Sequence, residues 1–525
     1  MTETRRFTHG EILKILSGLL MALLTAMLST SVASTALPTI VGELGGQNQL
    51  AWVASAMLLT MTASTPLWGK LSDLFGRKFL FQFALVVFVL GSVAGGFAWN
   101  MPGLIAARAV QGLGAGGLFA LTHVVLGDIV APRERGRYAG YIGGTFGVAT
   151  VAGPLVGGFI VDADRLGWRW CFFVCVPLAV VAFTVIQKVL KLPRVKRDAR
   201  VDWLGACTVT GGATALMLVL TLAGEEFPWN SPWTYGLGGL SAALIALAVV
   251  AERRAAEPIL PPRLFRDRTF VWTSVASAFV GVLLYSAMNF LPQYFQIGRG
   301  MSPTMSGLMT LPMVLGLFVT SVGSGRIVTG TGRWKIFPVV GMVLMGTGTA
   351  LLSVHLEAGL VGIGADVAVL GFGLGLTMQI LILAAQNSAK RADMAATTAG
   401  VTFFRSLGGA IGVAAFGAIL TARLSEEMSA RLRAAHLPVP SGRPNLGSPE
   451  AIHRLPEPIR HIVLESFTRA VETAFLVGVP VAALGLLAVL ALKEQPLRSA
   501  PTTAHRTVRG GDAALVAAAD EAGPR

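Results

Sequence analysis

The chain has 525 residues, of which 53% are hydrophobic and 13% charged, with a mean hydropathy of +0.66. So apolar a composition excludes an ordinary soluble globular fold and points to many membrane-embedded helices. A net charge of +14 would suit a nucleic-acid surface, but the bases fall in alternate connections between apolar stretches, which is a topological pattern and excludes that partner.

Apolar segments long enough to cross a hydrocarbon core roughly 30 Å thick as helices recur fourteen times. They are predicted at 13–38, 50–69, 79–98, 103–127, 138–160, 168–187, 203–223, 234–251, 270–293, 305–325, 335–354, 359–383, 397–421 and 472–492. With the amino end inside, the first inner connections carry Lys70, Arg77 and Lys78, then Arg133, Arg135 and Arg137, then Lys188, Lys191, Arg194, Lys196, Arg197 and Arg200. Later ones carry Arg253, Arg254, Arg263, Arg266 and Arg268, then Arg326, Arg333 and Lys335, then Lys390 and Arg391. The short outer connections hold Arg165, Arg169 and Arg299. This asymmetry predicts that both termini are cytoplasmic, and an even number of spans agrees. Cys171, Cys175 and Cys207 fall in predicted spans without metal-ligand spacing and read as small apolar residues.

The spans group as six, two and six. The expected organisation is an N-terminal six-helix bundle (1–190), a linker with two extra transmembrane helices (191–260), a C-terminal six-helix bundle (261–495) with an outer loop (422–471), and a disordered cytoplasmic tail (496–525). The outer segment holds Pro438, Pro440, Pro444, Pro449, Pro456 and Pro458 and is expected to form an irregular cap with short amphipathic helices. In the second half, Gly323 to Arg333 occupies the place that Gly69 to Lys78 holds in the first, but without an acid, so any second latch there is expected to be weak.

Four motifs carry chemistry. The run Gly69-Lys70-Leu71-Ser72-Asp73-Leu74-Phe75-Gly76-Arg77-Lys78 packs charges and glycines into a turn between two apolar stretches. Its G-x-x-x-D-x-x-G-R-K spacing resembles the signature loop of the major facilitator superfamily. In span 4, Arg108, Gln111 and Gly112 fit that superfamily's R-x-x-Q-G-x-G element. An arginine inside a span is costly and must face a wet cavity or a partner. In span 5, Gly153, Pro154, Gly157 and Gly158 look like the G-P-x-x-G-G element associated with antiport. The stretch Met27 to Ile40 and the run Phe403-Phe404-Arg405-Ser406-Leu407-Gly408-Gly409 resemble the fourteen-span drug:proton antiporters, the EmrB/QacA group. One departure stands out: the acid common in the first span of that group falls on Ser29, which does not titrate.

The resemblance implies an all-α integral membrane protein of major facilitator fold, with two six-helix bundles and two inserted helices. It also implies a proton-coupled efflux transporter in a bacterial cytoplasmic (inner) membrane, exporting lipophilic or amphiphilic drugs or toxic compounds by alternating access. Gly69, Asp73, Gly76, Arg77, Lys78 and Arg133 would form a gate; the plainer alternative for Asp73 is a helix-capping acid among surface bases. Arg108 would serve proton coupling, or else be a structural arginine bonded to carbonyls of span 1.

With Ser29 unable to titrate, Asp366 and His123 become further candidates for proton coupling. Asp366 lies about 10 Å into span 12, and is otherwise a solvated acid of the outer vestibule. His123 stands some 22 Å along the helix from Arg108, and is otherwise a hydrogen-bonded packing residue. Ser29, Gln111, Asn289, Gln293 and Gln379 are candidate cavity residues. Small-molecule substrate, protons and the lipid bilayer are the expected partners, and the chain is expected to act as a monomer. No cofactor or enzymatic activity is expected, and no phosphate-binding G-x-x-x-x-G-K-[ST] loop occurs. Two alternatives remain: a dedicated exporter of an endogenous metabolite, lipid or siderophore, and a transport-silent sensor or scaffold. The intact motifs argue against the second.

Overall fold

The structure is a computed structural model and describes residues 8–44, 50–130, 134–163, 167–190, 202–223, 227–255, 258–390, 393–437, 452 and 455–497. Arg133, the basic connection from 191 to 201, residues 438–451 of the outer segment and the tail from 498 lie outside these residues.

In chain order the helices are α1 His9–Leu44, α2 Leu50–Phe75, α3 Arg77–Gly96, α4 Met101–Ile129, α5 Arg135–Asp162, α6 Trp170–Phe173, α7 Cys175–Val189, α8 Trp203–Leu222 and α9 Pro232–Arg254. They continue as α10 Arg268–Gln293, α11 Pro303–Met309, α12 Leu311–Thr331, α13 Ile336–His355, α14 Leu360–Ser388, α15 Met394–Ala434 and α16 Glu457–Leu490. The fold is all-helical. Among the described residues twelve helices are long and apolar enough to cross a membrane; α2 and α5, of 26 and 28 residues, stand beside them.

Local chemistry places the helix ends. The Asn100 side chain accepts from Gly103 N–H at 2.7 Å to cap α4, and Asp202 does the same from Gly205 for α8 at 2.8 Å. Between α2 and α3 the whole turn is Gly76, whose φ of +93° a side chain would resist.

Glycines then set how closely the helices approach. A Cβ on Gly112 of α4 would lie 2.3 Å from the Met57 carbonyl oxygen on α2, and one on Gly408 of α15 would lie 2.1 Å from the Ala278 oxygen on α10. Backbones this close gain dispersion and leave no room for a methyl group.

Helices α1–α7 pack mainly on one another, as do α10–α16. Two seams join these groups: α5 on α12, and α2 on α15. The α8–α9 hairpin lies over the second, with Met217 between Leu59 and Ala410, and Ala213 between Ala63 and Phe403.

The outer segment departs from expectation. Instead of an irregular cap, α15 continues to Ala434 and α16 already starts at Glu457, so much of the segment is the prolongation of two long helices. The extension holds because Met428 and Leu432 bury against Ile452 and Val463, and Arg431 pairs with Glu465 at 2.6 Å. The prolines at 438, 440, 444 and 449 lie outside the described residues, and Pro456 sits just before the first turn of α16, where a proline is tolerated.

Candidate functional site

At the basic end of the first group of helices, Arg77 joins three elements. Its Nη2 meets Asp73 of α2 at 2.5 Å, its Nε donates to Asp128 of α4 at 2.8 Å, and Nη1 donates to Ser72 Oγ. The planar guanidinium suits such a bridge because its donors point in fixed directions. Lys78 instead donates to the Gln187 carbonyl at 2.7 Å. Gly69, one turn before Asp73, packs across the seam: a Cβ there would lie 2.7 Å from Ala399 Cβ on α15. Asp128 is absent from the motif that singles out the loop. Its signal is an acid at the basic end of span 4 in a chain with few acids.

The second half supplies its missing acid from elsewhere. Glu494, after α16, accepts the backbone N–H groups of Trp334 and Lys335 at 2.9 and 3.2 Å, next to the glycine turn at Gly332. No local spacing reveals that pairing.

Inside the first group, Arg108 is 2% exposed and donates to the Val53 carbonyl of α2 at 3.1 Å and to Gln111 Oε1 at 2.6 Å. Gln111 Nε2 then donates to Ser29 of α1 and Ser92 of α3, at 2.7 and 2.6 Å. The network therefore ties four helices, and the carbonyl that Arg108 meets belongs to α2 rather than α1. Ser29 and Gln111 are fully buried in it and do not line the central cavity.

The glycines of the span 5 motif differ. A Cβ on Gly153 would lie 2.0 Å from Ser31 Oγ of α1, whereas Gly158 has nothing within 4 Å and Gly157 is simply buried. Helix α5 runs unbroken through position 154.

Where the two groups of helices meet, a cavity of about 20 Å³ remains, lined by Phe119, His123, Phe146, Ser321, Gln379 and Arg405 among others. That is room for about one water, against roughly 300–1,000 Å³ for a site holding a drug-sized ligand. His123 Nδ1 lies 3.0 Å from the Phe119 carbonyl oxygen. A carbonyl only accepts, so Nδ1 carries the proton, and among the described residues Nε2, left as an acceptor, has no partner. Arg405, noted in sequence only as part of a motif, lines the same cavity as His123. Asn289 and Gln293 are exposed on α10, away from this cavity; Asn289 donates to its own helix at the Tyr285 carbonyl.

At the opposite end of α13 and α14, buried Asp366 faces His355 Nδ1 at 3.2 Å. The imidazole is half exposed, so this carboxyl meets solvent through a histidine that sequence did not pair with it. The two lie eleven residues apart on different helices, and only the turn between those helices brings them together.

Comparison with known proteins agrees with this architecture. Residues 19–413 match the family described as Major Facilitator Superfamily. An uncharacterized MFS-type transporter of Mycobacterium tuberculosis is 37% identical over 487 residues, covering 92% of this chain and 70% of its own. The multidrug transporter protein MdtP of Bacillus subtilis is 33% identical over 419 residues, covering 80% and 77%. Among solved structures, a human organic anion transporter, MFSD10, aligns with a TM-score of 0.61 at 13% identity over 91% of this chain and 99% of that one. The proton:xylose symporter XylE aligns at 0.59 and 14% identity over 92% and 95%; at such identities the likeness concerns the fold alone. The chain therefore belongs to the Major Facilitator Superfamily and is a multi-pass membrane transporter.

Proposed function

We propose that the chain exports lipophilic or amphiphilic compounds in exchange for protons, by alternating access, as a fourteen-span member of the EmrB/QacA-like group in which α2 and α5 also cross the membrane. The cluster of Arg77 with Asp73 and Asp128, set beside the Gly69 contact on α15, carries this reading. It fixes the basic end of α2 relative to α3 and α4, and Gly69 packs that end of α2 against α15 of the other half. A charged latch has a use only if that contact opens and closes. The nearly filled central cavity supports the same view, because cargo enters only when the halves part.

In this reading the two halves, 1–190 and 261–495, rock about the midplane, with both termini in the cytoplasm of a bacterial cell and the latch on that side. Asp366 takes up protons from the outside through His355, and the Arg108 network relays the change between helices of the first half. One proton crossing 100 mV supplies about 2.3 kcal/mol. Relatives named for multidrug export make drugs the first cargo to try.

The test is accumulation of lipophilic dyes of either charge in inverted membrane vesicles containing the chain. We expect gradient-dependent accumulation that a protonophore abolishes and that Asp73→Asn or Asp366→Asn reduces. Accumulation unaffected by the protonophore would refute proton coupling, and no movement of any dye would refute drug export.

A further inference from the structure

The central cavity displays polar groups without a hydrogen-bond partner among the described residues. Arg405 is 6% exposed on α15, and among the described residues its guanidinium makes neither a hydrogen bond nor an ion pair. His123 Nε2 of α4 and Ser321 Oγ of α12 are likewise buried and unpartnered. Three helices from both halves thus point unmet polar groups at one small space. No aspartate or glutamate lines it among the described residues.

Leaving a cation unpaired in the membrane interior is costly, and buried polar groups without partners are uncommon enough to need an explanation. Gln379 adds an amide, while Phe119 and Phe146 supply apolar walls. An anion with an aromatic or aliphatic body meets the Arg405 charge, the Ser321 hydroxyl, the Gln379 amide and the apolar walls, whereas a cation is repelled by Arg405; His123 Nε2, with the proton on Nδ1, only accepts. At Ser29, where the related antiporters carry an acid, this chain has a hydroxyl already engaged by Gln111, so no compensating negative charge stands there either.

We propose that Arg405 is the recognition residue for an amphiphilic organic anion, such as an aryl carboxylate, and that the Ser321 hydroxyl and the Gln379 amide complete its hydrogen bonding when the halves part to admit it. This rests on the export reading for the direction of movement but not for the site itself. The charge also suits export, because an inside-negative potential favours outward movement of an anion.

The experiment measures binding to the full chain in lipid nanodiscs, using naphthalene-1-acetate and its cationic counterpart 1-naphthylmethylammonium. We expect saturable binding of the carboxylate, about tenfold or more tighter than that of the ammonium. Arg405→Gln should weaken the carboxylate roughly ten- to a hundredfold and leave the ammonium no weaker, while Arg405→Lys, which keeps a point charge, recovers part of the loss. Comparing the two probes on the unaltered chain requires no variant to fold.

Equal or tighter binding of the ammonium, no saturable binding of the carboxylate, or a carboxylate affinity indifferent to Arg405→Gln each overturns the proposal. In vesicles, a carboxylate that binds through Arg405 but is not moved refutes export and leaves the site standing. Ammonium export without carboxylate binding does the reverse.

Discussion

Replacing Gly69 by alanine tests whether the contact between α2 and α15 is one half of a conformational equilibrium. The new Cβ would lie 2.7 Å from Ala399 Cβ. Carbon atoms rest at about 3.5–4.0 Å, so the helices must separate by roughly 1 Å. Neither methyl can rotate away, because both are attached directly to helix backbone. Overpacking of this kind costs about 1–3 kcal/mol.

The cost falls only on the arrangement in which the helices touch, so the population should shift away from it by roughly 5- to 150-fold. Spin labels at the exposed positions Phe79 and Lys390, in a background without Cys171, Cys175 and Cys207, would report the shift as a longer distance, and vesicle transport should fall with it. Adding Ala399→Gly removes the colliding atom and leaves the Ala395 oxygen at 3.2 Å as the nearest neighbour, so both distance and transport should return. Melting temperature alone is a poor readout, because alanine in a helix interior gains up to about 1 kcal/mol over glycine in any conformation. A distance distribution unchanged by Gly69→Ala, or a defect that Ala399→Gly leaves in place, would refute the reasoning.

Three further outcomes follow from the same geometry. Within the span 5 motif, Gly153→Ala should destabilise the protein by about 1–3 kcal/mol in thermal unfolding, because its Cβ meets Ser31, while Gly158→Ala should be neutral or slightly stabilising. Arg77→Lys keeps the charge but loses the fork that reaches Asp73 and Asp128 together, and should lower vesicle transport by roughly tenfold with unchanged protein amount. Beyond the apolar stretch of α1, Glu43 accepts from Arg169 at 2.5 Å and Trp168 Nε1 at 2.7 Å, and the Arg169 bond first and the Trp168 bond next hold its carboxyl below the ordinary value of 4.5. A depressed folded value means that its contribution to stability is present above the unfolded value and lost as pH falls through the folded one. Acidification below pH 4.5 should therefore lower the melting temperature, and Glu43→Gln should flatten that part of the profile.

Sequence alone carried the class of molecule and its family. Hydropathy does so because a membrane interior offers no water to backbone groups, so long apolar runs must be helices whatever surrounds them. The motifs at Gly69, Arg108 and Gly153 were legible because each lies within one turn or one span, where spacing in sequence is spacing in space. Tertiary structure decided whatever depends on which helices meet. It brought Asp128 to Arg77, Glu494 to Trp334, and His355 to Asp366, all pairs from different elements. It moved the Arg108 hydrogen bond to α2 and showed that two glycines of one motif have opposite surroundings. It also prolonged α15 to Ala434 and started α16 at Glu457, because residues such as Leu432 and Val463 find each other only once both helices are in place. Above all it set Arg405, His123 and Ser321 around one cavity, a convergence of three helices that no reading along the chain contains.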